Sequence, residues 1–293
     1  MPVNPSNAPY FNVLSYTLSR FAFIGTHVVF AFWLLFLFND PFDIAAMYLP
    51  FLSLPTLDVP KSQVLPAVSC TRLILPNLYS NLFFFSLWVV THSGLARTVT
   101  KKALGLEGHP VERPLYAAIA TIVWFVQVYM WKPITDCVSW DVLATPPLYW
   151  AISGMLMLFG TVLIVGLLWT LPDHVFGTQK YKYLQGTFPP QKIIKGSFPY
   201  GLVRHPAATG FLWFYLALPS YTPNHILLAA LWCVYIVIGT LIFEEKGISE
   251  DKTEFGREYL QYRKNVHAFY PTLQSVLTVL GIRKYQGDNA KEK

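Results

Sequence analysis

Residues 225–243 read HILLAALWCVYIVIGTLIF, and the two residues that follow are Glu244 and Glu245. A helix needs roughly 20 apolar residues, at ~1.5 Å rise each, to cross a hydrocarbon core about 30 Å thick. This run therefore reads as a membrane span that ends on two acids. Residues 21–38, 78–96, 115–131 and 148–171 supply four similar runs, the second interrupted by the triplet Thr91, His92 and Ser93. A shorter apolar run, 207–219, is joined to the opening stretch by the turn-like Pro219-Ser-Tyr-Thr-Pro223-Asn224. The pattern predicts an all-α polytopic membrane bundle of about six spans, the fifth starting as early as Tyr200 and kinking at Pro206.

Composition agrees. Of 293 residues, 54% are apolar and only 13% charged, against ~25% charged in soluble domains. A soluble globular domain, a disordered chain and a disulfide-stapled secreted module are all excluded. Cys70, Cys137 and Cys233 lie far apart with no CxxC spacing, so no metal site is signalled. With six spans the connections alternate sides, and 19 of the 22 basic residues fall on one of them. The other side holds only Lys61, Arg72 and Lys132. The positive-inside rule then places both termini in the cytoplasm. The net charge of +6 is topological, with some attraction to anionic lipid heads, and calls for no nucleic acid. Cys70 and Cys137 share the non-cytoplasmic side, where a disulfide is open to them. The first 19 residues carry no basic charge, so no cleavable signal peptide is read.

The polar tail carries a further helix. From Lys252 to Val266, the residues Phe255, Tyr259, Tyr262 and Val266 recur at helical spacing with charges on the other faces. This predicts a C-terminal amphipathic helix lying at the interface against the bundle.

Two clusters carry candidate chemistry. Arg204-His205-Pro206 opens the fifth span, with Pro in the first helical turn, where its missing N–H leaves no hole. A plain reading is an interface anchor, Arg204 snorkelling to phosphates. Glu244 and Glu245 make that reading insufficient. Acids at a helix C-terminus oppose its dipole, and they sit where the membrane surface favours Lys or Arg. If spans five and six form a hairpin, their outer ends return to the same side, so Arg204 and His205 can meet Glu244 and Glu245. A mixed-charge pocket roofed by an aromatic tail helix suits a small zwitterionic ligand.

These residues also carry a resemblance. Arg204-His205-Pro206 with Gly210, then Glu244-Glu245, then Phe255-Gly256-x-x-Tyr259-x-x-Tyr262-Arg263-x-x-Val266 resemble the isoprenylcysteine carboxyl methyltransferase superfamily across residues 196–271. His92-Ser93-x-x-Ala96-Arg97, Glu112-Arg113-x-x-Tyr116 and Trp131-Lys132-Pro133 resemble its NnrU/nurim branch. Asp173-His174-x-Phe176-Gly177 and the stretch Leu202 to Tyr235 are most similar to the methanethiol S-methyltransferases. The resemblance spans residues 78–271, dividing a single membrane domain into NnrU-like spans at 78–171 and a cofactor-binding hairpin and tail at 196–271.

The resemblance implies an integral membrane methyltransferase using S-adenosylmethionine, acting on a small thiol or a lipid-like substrate. It further implies Arg204 and His205 as catalytic residues. Tyr200, Arg204, His205, Glu244, Glu245, Tyr259 and Tyr262 would bind the cofactor: guanidinium and imidazole for its carboxylate, acids for its amino group or ribose hydroxyls, tyrosines for adenine. His92, Arg97 and Arg113 would serve the substrate. A plainer reading of His92 is a structural histidine bonded across helices, and of Glu112-Arg113 a local ion pair. Trp131 and Trp140 read as interfacial belt residues. The sequence departs from the superfamily pattern at Ala208, where an aromatic is usual, at Phe198, where a Gly is usual, and at His267, where a Pro is usual. The first departure bears on the methyl acceptor more than on the cofactor.

Alternatives are isoprenylcysteine carboxyl methylation, an NADPH-dependent sterol reductase, and a non-catalytic nurim-like envelope protein. A reductase typically follows its Gly with Asp, whereas Phe211 follows Gly210 here; a scaffold has no need of paired charges at 204–205 and 244–245. Orientation relative to the cytoplasm leaves the membrane open between endoplasmic reticulum or nuclear envelope and a bacterial inner membrane.

Overall fold

The computed structural model describes residues 8–37, 57, 73–109, 111–135, 147–170, 198–217, 222–250 and 254–283. Among them every regular element is helical. They are α1 (Ala8–Leu37), α2 (Leu75–Ala96), α3 (Thr98–Ala103), α4 (Glu112–Tyr129), α5 (Pro147–Thr170), α6 (Pro206–Leu216) and α7 (Pro223–Ile238). A π-helical turn, Gly239–Glu244, continues α7 into α8 (Glu245–Ser249); α9 (Glu254–Asn265) and α10 (Leu273–Val279) complete the tail. Among the described residues, three stretches are long and apolar enough to cross a membrane: Val13–Leu34, Ala151–Leu168 and Pro223–Ser249. Residues 171–197, with Asp173, His174, Phe176 and Gly177, lie outside the described residues, as do Cys70, Cys137 and Trp140.

The chain divides into two units, the first Met1–Thr145, Pro172–Phe188 and Leu218–Leu228, the second Pro146–Leu171, Pro189–Ala217 and Ala229–Lys293. In the first, α4 packs against both α1 and α2. Gly25 lets α1 approach, since a Cβ there would lie 3.2 Å from Thr121 Cγ2. The Thr26 and Thr121 hydroxyls meet at 2.8 Å, and small or hydroxyl-bearing residues at such crossings are what apolar helices use where lipid competes for every apolar contact. Below them Trp33 packs on Trp124 and Phe36 edge-on against Trp131. Trp131 is therefore buried, not a belt residue: it ends α4 and turns into the aromatic core.

After α4 the backbone is irregular, and in an apolar surround each of its N–H and C=O groups needs a partner. Asparagines supply them. Asn81 donates to Lys132 O at 2.7 Å and accepts from Lys132 N at 2.9 Å. Asn77 donates to Pro133 O, and Ile134 N donates to Asn224 Oδ1 at 2.6 Å. The buried Thr222 and His225 side chains bond each other at 2.9 Å.

In the second unit α6 lies on α5 through two glycines. A Cβ on Gly210 would stand 2.5 Å from Ile164 Cγ1 and 2.8 Å from Gly160 O, so no side chain fits. Ser153 Oγ donates to Ala217 O at 2.6 Å, and Tyr215 stacks on Trp232 of α7 with centroids 5.5 Å apart. α6 has 11 residues, or ~16 Å at ~1.5 Å each, about half a hydrocarbon core. It does not extend back to Tyr200 through a kink. Residues 198–202 form turns, and His205, at φ −123° and ψ 71°, is held out of the α region by the ring of the proline after it. The helix starts at Pro206. In α9, Tyr259, Tyr262 and Val266 are buried together against Ile248, which uses up the apolar edge that the tail pattern identified; the Phe255 side chain lies outside the described residues.

Candidate functional site

Residues 203–205 run between a turn and α6; the His205 carbonyl accepts from Thr209 N at 2.8 Å, but the N–H groups of Arg204 and His205 have no helical acceptors. The chain after α9 supplies them: Arg204 N donates to His267 O at 2.8 Å and His205 N to Ala268 O at 3.3 Å. Thr209, one turn into α6, adds its hydroxyl to Ala268 O at 3.3 Å. The Arg-His pair is thereby tied to the end of the tail helix, and its side chains meet the junction of the π-helical turn and α8.

Glu245 is the hub. Its Oε1 accepts from Arg204 Nε at 2.9 Å, Arg204 Nη2 at 2.7 Å and His205 Nε2 at 3.0 Å. A carboxylate can only accept, so Nε2 carries the proton. Arg204 Nη1 turns the other way and donates to Arg263 O at 3.1 Å and to Val266 O, covering carbonyls that the end of α9 leaves without helical partners. Four of the five guanidinium N–H groups are thus committed. The second carboxylate oxygen, Oε2, has Arg263 Nε at 3.3 Å. That is ion-pair range but off the axis of a hydrogen bond, so this buried oxygen has no aligned donor.

The π-helical turn decides which acid does this. Glu245 is 1% exposed and Glu244 is 56% exposed as side chains. An extra residue in one helical turn rotates everything after it by about 100° relative to a plain α-helix, so the winding from Gly239 to Glu244 sets Glu245 inward. Glu244 stays at the rim, its Oε2 3.6 Å from His205 Nδ1. The Tyr259 hydroxyl lies 3.4 Å from His205 Nε2. Burial raises its phenol above the ordinary range, with Glu245 adding and Arg204 opposing, so Tyr259 stays neutral. Tyr262 donates to Tyr200 O at 2.6 Å, pinning the turn before Arg204.

The structure therefore brings Arg204, His205, Glu244, Glu245 and Tyr259 into one cluster, with Tyr262 and Tyr200 joined beside it. Sequence reasoning gave no role to Arg263, although it stands in the tail motif, nor to the carbonyls of Val266, His267 and Ala268. Arg263 was findable, being one turn beyond Tyr259 on the same helix; backbone carbonyls leave no trace in residue identity.

In the first unit, His92 Nε2 and Tyr116 OH lie 2.8 Å apart, and the Trp88 ring stacks on the imidazole at 4.6 Å. Arg113 lies over the Tyr116 ring, 5.1 Å from its centroid. Glu112 pairs with Lys101 at 2.9 Å and accepts from Gly108 N at 2.9 Å, so its recorded partners close the α3–α4 connection. Arg97 sits at the break between α2 and α3, its N–H on Gly94 O and its side chain exposed.

The chain is 32% identical over 208 residues to a methanethiol S-methyltransferase of Pseudomonas deceptionensis, a match covering 67% of this chain and 74% of that protein. The chain belongs to the methanethiol S-methyltransferase family. It is also 29% identical over 202 residues to methanethiol S-methyltransferase 1 of Bradyrhizobium diazoefficiens, covering 67% of each chain. To a methanethiol S-methyltransferase of Mycobacterium tuberculosis it is 28% identical over 202 residues, 65% of this chain and 77% of that one. No family model and no solved structure matches the chain. Membership in the methanethiol S-methyltransferase family makes the chain a methyltransferase by kinship, and its three long apolar helices support a membrane protein.

Proposed function

We propose that this chain is an integral membrane, S-adenosylmethionine-dependent thiol S-methyltransferase that converts methanethiol to dimethyl sulfide. Kinship to enzymes named for that activity carries the reading. Two finer parts are our own reading. About six spans with both termini cytoplasmic follow from the apolar runs and the one-sided basic residues, α9 being the interfacial helix. Within them, 78–171 serve as NnrU-like spans and 196–271 as the cofactor-binding hairpin and tail, in keeping with the isoprenylcysteine carboxyl methyltransferase superfamily.

The second unit's residues fit the cofactor's chemistry. Glu245 Oε2 is a buried acceptor with no aligned donor, as an ammonium or ribose hydroxyl requires, and exposed Glu244 offers a second. Tyr200, Tyr259 and Tyr262 offer the aromatic surface for a purine. When bound, the cofactor supplies a methyl group on a sulfonium, an electrophile that needs no acid to assist departure.

What remains for the protein is to hold and to dry the reactants. Arg204 does so from inside, with four N–H bonds that lock Glu245 to the end of α9. His205 presents Nδ1 toward Glu244 while Nε2 is fixed by Glu245. We assign these two as the reaction-centre pair. For the thiol we assign His92, Arg97 and Arg113, supported by the His92–Tyr116 bond and the Arg113 guanidinium over the Tyr116 ring; a cation favours the thiolate, which is the nucleophile. Calorimetric titration of the detergent-solubilised protein with S-adenosylhomocysteine is expected to show binding, followed by dimethyl sulfide in the headspace when S-adenosylmethionine and methanethiol are supplied. No heat with S-adenosylhomocysteine, but heat with NADPH, would point to a reductase instead.

A further inference from the structure

We propose that Arg263, not Arg204, receives the carboxylate of the methyl donor's amino-acid moiety. This rests on the donor reading above and changes which cation does the work. Arg204 was the natural choice from sequence, but the fold has spent it. Its side chain is 8% exposed, and four of its five N–H groups are taken by Glu245 Oε1 and by the carbonyls of Arg263 and Val266. To bind a ligand carboxylate it would have to release a buried acid.

Arg263 has the opposite situation. Its side chain is 49% exposed. Its Nε edge faces Glu245 Oε2 at 3.3 Å, and its own carbonyl is held by Arg204 Nη1. The Arg263 backbone is thus held by Arg204, and its side chain stands in ion-pair range of Glu245. Neither Nη1 nor Nη2 makes a hydrogen bond among the described residues. That leaves the two-pronged edge of a guanidinium presented from a preset position, which is the geometry that takes a carboxylate by two parallel N–H bonds.

Charge points the same way. One buried carboxylate, Glu245, stands between two guanidinium groups, and the nearby Glu244 is directed to His205 Nδ1 rather than to Arg263. A ligand carboxylate on Arg263 completes the alternation of charge, and the ligand's ammonium, one carbon away, then falls beside acids.

The test varies the ligand as well as the protein. S-adenosylhomocysteine and its decarboxylated analogue, which lacks only the carboxylate, are titrated calorimetrically into the full chain and into Arg263→Gln. The wild type is expected to bind the analogue ~10- to 100-fold more weakly than S-adenosylhomocysteine. Arg263→Gln should weaken S-adenosylhomocysteine by a similar factor and leave the analogue's affinity unchanged, with Arg263→Lys in between. Equal losses for both ligands in Arg263→Gln, or no loss for either, would overturn the assignment. So would a wild type that binds the two ligands equally, a comparison that needs no variant to fold. A wild type that binds neither ligand contradicts the donor reading itself and is told apart by that pattern.

Discussion

Two regions hold irregular backbone in place by opposite means. After α4, residues 131–135 are fastened by neutral amides, chiefly Asn77, Asn81 and Asn224. Around residues 204–205 the main chain bonds His267 O and Ala268 O, and the side chains add charge: Arg204, His205, Glu245 and Arg263. Amides suffice to satisfy a turn, and they do it without the desolvation cost of ions, which runs to several kcal/mol per buried charge. A fold that uses ions where amides would serve is keeping those ions for something besides shape. This supports the proposed assignment of residues 131–135 to scaffold and of the charge cluster to chemistry.

The largest effect is expected at Glu245. Glu245→Ala leaves Arg204 and His205 facing each other with no acid between them, at a cost of about 3–5 kcal/mol, and should abolish dimethyl sulfide formation. Thermal unfolding in detergent alongside headspace chromatography measures both. Next is Asn81→Ala, which strips Lys132 of both backbone partners and should cost about 1–3 kcal/mol while leaving S-adenosylhomocysteine affinity within twofold. If Asn81→Ala weakened ligand binding as much as Glu245→Ala, the division between scaffold and chemistry would fail. Gly210→Ala belongs with the scaffold as well. Its methyl has a backbone oxygen at 2.8 Å and no room to move, and overpacking of about 1–3 kcal/mol should appear as a lowered unfolding temperature. The smallest effect is expected from Tyr259→Phe, which loses one long hydrogen bond at 3.4 Å, worth about 0.5–1.5 kcal/mol. Activity should fall modestly, with no shift of its pH profile attributable to a tyrosinate, since burial keeps this phenol neutral.

Much of the charged region was legible because its residue types are out of place. Acids at the end of an apolar run ask for a partner, and a hairpin supplies one forty-one positions away in Arg204. The amide region was not legible. Asn77 and Asn81 stand at i and i+4 on an apolar helix, a visible signal, but what they bond is main chain, whose demand depends on where a helix stops. The same limit explains Trp131, assigned to an interface from its place at the end of a run and buried once the chain turns. It also explains α6: Pro206 was seen as a kink within a longer span, although the restriction a proline places on its predecessor makes it a start. The π-helical turn at Gly239–Glu244 left no mark in the residue pattern, and so Glu244 and Glu245 looked interchangeable when one is buried and the other is not.

The most direct test of the charge cluster as the methyl-donor site is a headspace assay on purified protein supplied with S-adenosylmethionine and methanethiol. It compares the wild type, Asn81→Ala and Glu245→Gln, the last matching the native side chain in size. Dimethyl sulfide is expected from the first two and none from Glu245→Gln, although that protein remains folded. Wild-type rates from folded Glu245→Gln would contradict the account.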